Sequence, residues 1–139
     1  LLELNLNYKY VIKPLKRPTV NWRTRSISNG SKEDEEAVSY DTNLQISKEV
    51  RQEIKNIFAS KKDIAVTVEL VNFYATKDKK KHGLPKLTVP DASNVLKLWE
   101  DAVSNGQLYP DDNIVFSSQA SKYWAETSSA KVKVCYYEI

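Results

Sequence analysis

A chain of 139 residues that is 41% hydrophobic and 28% charged can bury one core without covalent staples, and its composition is that of a soluble globular domain. A single cysteine excludes a disulfide framework and a thiolate metal centre, and no apolar run is long enough for a membrane-spanning helix. The net charge of +3 is too small to name a partner by itself, so the distribution of charge carries the information.

From Leu2 to Lys13 the stretch LELNLNYKYVIK alternates apolar and polar residues, which predicts a half-buried strand. PLKRP, Pro14 to Pro18, ends it. TVNWRTRSI, Thr19 to Ile27, alternates again, with Val20 and Trp22 on one face and Arg23 and Arg25 on the other. Asn29-Gly30 opens a turn, and the acidic stretch that follows, through Ala37, reads as loop. Ser47 to Ser60 is the first helix, capped by Ser47 and striped with Val50, Ile54, Ile57 and Phe58. Asp63 to Ala75 is β-branched and aromatic, and reads as a central strand.

A second helix starts near Asp91 or Ser93 and ends near Asn105, with Gly106 as the stop and Val95, Leu96, Trp99, Ala102 and Val103 as its core stripe. Asn113 to Glu126 and Lys131 to Ile139 read as an antiparallel hairpin across TSSA, with Cys135 a buried strand thiol. The order ββαβαββ predicts a single α+β domain with a mixed or antiparallel sheet and two main helices. The start at Leu1, with no methionine in the chain, is read as processed or trimmed, and no signal-peptide pattern is present. An intracellular, cytoplasmic home is expected.

Two basic segments flank the acidic one. Residues 1–30 carry six basic side chains against Glu3 alone, and KDKKKHGLPK, Lys77 to Lys86, carries five lysines against one aspartate. Charge alone fits solvated loops; it also fits a polyanion met on one face.

The chemistry concentrates in VPDASNVLKLWEDAVSNGQLYPDDN, residues 89–113. Asp91, Ser93, Asp111 and Asp112, with Asn94 and Lys97 nearby, are hard oxygen donors without His or Cys, the set that Mg²⁺ or Mn²⁺ prefers. Such an ion polarises a phosphoryl oxygen and acidifies a bound water, and a neighbouring lysine stabilises the extra charge of the transition state. A helix of about twelve residues is about 18 Å long. The eight residues from Asn105 to Asp112 span up to roughly 26 Å, so the return loop can bring Asp112 beside Asp91 without being obliged to. The plainer reading is a capped helix, an acidic turn and a surface Lys97–Asp101 pair.

The series Pro90, Asp91, Asn94, Lys97, Asp101, Ala102, Gly106, Asp111 and Asp112 resembles the motif of the RusA-type Holliday junction resolvases. SQASKYW, with Lys122 and Tyr123, resembles the lysine-aromatic step that follows in that family, and IKPLKRP its proline-and-basic loop. The resemblance implies a homodimeric, Mg²⁺-dependent endonuclease that nicks four-way DNA junctions symmetrically. It maps the acidic metal site to Asp91 and Asp112, with Asp111 adjacent, and the essential lysine to Lys97. It also suggests a phage or prophage origin.

One position departs: Ser93 stands where the family has a second aspartate, and a hydroxyl is a weaker ligand for a hard cation. The substitution, natural or deliberate, leaves open a catalytically silent junction-binding protein on the same scaffold. A third option is an RNA-binding or protein-interaction module. For DNA, Lys16, Arg17, Arg23, Arg25, Lys79, Lys80, Lys81 and Lys122 are the candidate phosphate contacts, sequence-independent and salt-sensitive. Trp22, Trp124 and Tyr109 read as core or dimer aromatics, and His82 as a solvated loop residue.

Overall fold

A computed structural model of the chain describes residues 1–12, 32–105 and 108–139. The elements in chain order are β1 (Leu2–Tyr8), α1 (Lys32–Gln45), α2 (Lys48–Ala59), β2 (Ile64–Ala75), a 3₁₀ turn (Lys79–Lys81), α3 (Ala92–Asn105), a second 3₁₀ turn (Asp112–Ile114), β3 (Val115–Ala125) and β4 (Ser129–Glu138). They form an α+β fold with one mixed four-stranded sheet, ordered β1-β4-β2-β3, and three helices. The expected strand Thr19 to Ile27 lies outside the described residues.

The inward faces of the strands supply half of the core. Leu4, Leu6 and Tyr8 of β1, Val66, Val68 and Leu70 of β2, and Ala130, Val132, Val134 and Tyr136 of β4 are all buried. The helices supply most of the rest, Val38 from α1, Ile54 from α2, and Val95, Leu98, Trp99 and Val103 from α3, and the connections add Ile12, Ile46, Leu108 and Tyr109 to the same cluster. Trp99 is wholly buried, its ring 4.7 Å from that of Tyr8. Ser47 caps α2 as expected, its hydroxyl accepting from the Val50 amide at 3.2 Å.

The structure corrects two expectations. The acidic stretch read as loop is the beginning of α1, which runs on to Gln45. Glu and Ala are good helix formers, and among the described side chains of this segment the buried stripe is Val38 and Thr42, followed by Ile46 just past its end. Thr42 is polar, which hid the period. Its hydroxyl is satisfied by the Val38 carbonyl at 2.7 Å and the Tyr8 hydroxyl at 2.6 Å.

The expected β3–β4 hairpin is also overturned. β3 pairs in parallel with β2, while β4 pairs antiparallel with the opposite edge of β2 and with β1. The short link between them steps over the end of β2, where Thr76 donates its amide to Ala125 and Ala75 to the Ser128 hydroxyl. Burial explains the choice. Every second residue of β4 from Ala130 to Tyr136 is buried, which suits a place inside the sheet, whereas Phe116 to Gln119 of β3 are exposed, as an edge strand allows. Parallel pairing of β2 with β3 needs a crossover, and α3 provides it.

Candidate functional site

Asp91 stands at the entrance of α3, its carbonyl accepting the Val95 amide at 3.1 Å, and its side chain is exposed. Ser93, Asn94 and Lys97 follow on the exposed side of the helix, opposite the buried Val95, Trp99 and Val103. The periodicity of the sequence dictates this: once the apolar stripe faces the sheet, the polar residues between have only solvent to face.

Asp111 lies beyond the other end of α3. Its Oδ1 accepts the Asn113 amide at 3.3 Å and its carbonyl accepts the Ile114 amide at 3.4 Å, so it shapes the 3₁₀ turn that Asp112 opens. Two acidic stations therefore exist, one before and one after the crossover helix.

Their separation follows from the sheet. Lys122 of β3 donates to the Pro90 carbonyl at 2.7 Å and the Thr88 carbonyl at 2.8 Å, which fixes the approach to Asp91 at the far end of β3. The turn of Asp112 leads directly into Val115, at the near end, where β3 begins opposite Val66. Counted on β2, whose Val66 and Asn72 face Val115 and Lys122 across a bulge, six residues, about 20 Å, lie between those levels. Leu108 confirms the direction of α3, because its carbonyl accepts the Tyr136 hydroxyl at 2.6 Å and Tyr136 sits beside Leu2 and Val66. Within one protomer, Asp91 and the Asp111–Asp112 turn are thus on the order of 20 Å apart, against the roughly 2 Å bonds of a Mg²⁺ shell. The described residues contain no group of three His, Cys, Asp or Glu side chains placed to hold one metal ion.

The lysine-rich segment is ordered onto the outer edge of β3. Gly83, in the left-handed region at φ +84°, donates its amide to the Trp124 carbonyl. Trp124 donates to Leu84, Lys86 donates to Lys122, and Pro85 bridges Tyr123. Lys79, Lys80 and Lys81 form a 3₁₀ turn capped by Asp78 and are exposed. The Lys81 ammonium lies 5.6 Å from the Trp124 ring centre. An open cleft of about 460 Å³ beside the turn is lined by Thr76, Lys77, Lys79, His82 and Glu126. His82 is half-buried and places Nε2 2.9 Å from the Thr76 carbonyl oxygen.

Lys86 was not singled out from the sequence and is the least expected cation of the site. It is buried, with its ammonium 4.8 Å from the Trp124 ring centre and 5.1 Å from that of Tyr74. It donates to the Thr88 hydroxyl at 2.6 Å, to the Thr88 carbonyl and to the Val89 carbonyl. Burial, and secondarily the charge of Lys122, lower its pKa from the usual lysine value. The one available signal was its setting, a lysine between apolar residues in LPKLTVP rather than among the other lysines.

Of the remaining candidates, Lys122 is half-buried and engaged with two backbone carbonyls, while Lys16, Arg17, Arg23, Arg25 and Trp22 lie outside the described residues. Tyr109 is a core residue, Trp124 is half-buried as a platform for lysines, and Cys135 lies on β4 but is half-buried rather than buried. No helix among the described residues is long and apolar enough to cross a membrane.

Among curated proteins none is similar enough to match. The family model described as endodeoxyribonuclease RusA matches residues 13–135, most of the chain and all of the stretch that holds both acidic stations. This chain belongs to the RusA endodeoxyribonuclease family.

Proposed function

We propose that the protein resolves four-way DNA junctions in recombination and repair, hydrolysing phosphodiesters with Mg²⁺ or Mn²⁺ as a two-fold homodimer. The observation that carries this reading is the pairing of family membership with two acidic stations that one protomer keeps apart. Among the described residues of one chain, the acidic stations stand too far apart to share one ion. A two-fold dimer does what one chain cannot: it lets Asp91 meet Asp111 and Asp112 of the partner subunit, and it repeats the site for a second strand.

A bound Mg²⁺ or Mn²⁺ supplies a polarised phosphoryl oxygen and an acidified water. The chain's own residues do the rest. Asp91 presents a carboxylate from a helix entrance rather than from a free loop, and Lys97, about 9 Å further along α3, offers a positive charge to the developing phosphorane. Lys79, Lys80 and Lys81 stand at the same end of β3 as Asp91, with Lys81 over the Trp124 ring, and can hold backbone phosphates of the arm being cut.

A labelled four-way junction incubated with the protein and Mg²⁺ tests the reading. Paired, symmetry-related nicks are expected, and none without a divalent ion. A stable complex that never yields product contradicts the enzymatic reading, and equal binding of junction and plain duplex at every salt concentration contradicts junction recognition.

A further inference from the structure

We infer that Lys86, assisted by Lys122, is a positioning residue that clamps the segment Thr88–Pro90 and thereby sets where Asp91 stands. The inference deepens the proposed function and rests on Asp91 acting in that site.

Geometry carries it. An ammonium has three protons to donate, and the Lys86 ammonium has three acceptors around it: the Thr88 hydroxyl, the Thr88 carbonyl and the Val89 carbonyl. Two aromatic rings, Trp124 and Tyr74, surround the same charge. Its stem is fixed as well, because the Lys86 amide is bonded to the Lys122 carbonyl on the rigid β3. From the other side the Lys122 ammonium takes the Thr88 and Pro90 carbonyls. Three consecutive carbonyls, those of residues 88, 89 and 90, are therefore all held by lysine ammonium groups anchored in or beside one strand.

The arrangement has a use. Leu87, Val89 and Thr88 are exposed, so nothing apolar buries this segment against the core, and the lysines replace packing as its anchor. Asp91 is the next residue. A carboxylate that must reach an ion completed elsewhere gains from a fixed entrance, because misplacement of about 1 Å at a reacting centre costs on the order of 100-fold in rate. Lys86 is buried and points its charge at the backbone, so it is held back from DNA in this arrangement.

The test uses full-length Lys86→Met, which keeps the stem and removes the charge, with Thr88→Val as a milder second variant that removes only the hydroxyl accepting from Lys86. Hydrogen exchange is followed over residues 84–95, with Mn²⁺ affinity and junction cleavage measured alongside. Faster exchange confined to residues 87–92 is expected in both variants, with weaker Mn²⁺ binding and unchanged junction affinity and salt dependence. In an active protein the cleavage kcat falls about 10- to 100-fold at unchanged KM, and Lys86→Arg does not restore it because the planar fork mismatches the cage. Unchanged exchange in both variants overturns the clamp, as does a loss of junction affinity parallel to the loss of kcat. If the wild type binds junctions without cutting them, the enzymatic reading fails while exchange still decides the clamp.

Discussion

Replacing Tyr136 with Phe removes one hydroxyl and leaves the ring, so its effect measures a single hydrogen bond at the base of the crossover. Tyr136 is 1% exposed, lies between Leu2 and Val66 in the sheet, and donates to the Leu108 carbonyl at 2.6 Å. Leu108 is itself wholly buried, so its carbonyl has no route to solvent once the donor is gone. Losing the bond and stranding that carbonyl costs about 1–3 kcal/mol. For a chain of this size that lowers the melting temperature by roughly 3–10 °C.

Urea titration followed by tryptophan fluorescence should show a lower midpoint at unchanged slope. A pH series adds a second check. Burial, with Tyr109 contributing, raises the Tyr136 pKa above the usual 10. The group is thus neutral when folded and ionises on unfolding, a stabilisation present below pH 10 and lost as pH rises toward the folded value. The phenylalanine variant has no such loss, so the gap to wild type narrows above pH 10. A loss below about 0.3 kcal/mol, or a gap that stays constant with pH, would refute the buried bond.

The other predictions follow the same logic. Tyr8 and Tyr74, both pushed up to about 12 chiefly by burial, add to this alkaline limb, each contributing up to about 3 kcal/mol that disappears between pH 10 and 12; a flat stability profile there contradicts their burial. Changing Lys79, Lys80 and Lys81 together to Ala should lower the salt slope of junction binding by about 0.9 for each lysine on a phosphate, at most about 2.7, and an unchanged slope removes that turn from the interface. Ser93→Asp should raise metal-dependent cleavage, because a carboxylate holds a hard cation better than a hydroxyl; no gain places residue 93 outside the metal shell.

What the sequence disclosed and what it hid have physical causes. α2 and α3 were legible because their stripes, Val50 to Phe58 and Val95 to Val103, are apolar and regular, and β2 because its β-branched run suits an interior strand. α1 was not, since acidic residues at a helix start look the same as a solvated loop until Val38 and Thr42 meet Tyr8. The placement of β4 was hidden because a short link after β3 is equally compatible with a hairpin and with a step over β2. Only the contrast between the buried face of β4 and the polar SSQAS of β3 separates them.

The acidic residues were readable one by one, yet their arrangement was not. The loop after α3 is long enough to return to Asp91, but β3 starts opposite Val66, and that register fixes the Asp112 turn at the near end. The clamp was nearly as hidden, since the apolar neighbours of Lys86 in LPKLTVP set it apart from the other lysines without disclosing the Trp124 and Tyr74 rings or the three acceptors around it.

Subunit mixing tests the central claim most directly. Asp91→Asn and Asp112→Asn are each purified, shown to be inactive on a four-way junction, then unfolded and refolded together. If each site takes Asp91 from one protomer and Asp112 from the other, mixed dimers regain one intact site and nick one strand of the junction. If both acids of a site come from the same chain, every mixed dimer stays silent, and the cross-subunit account fails.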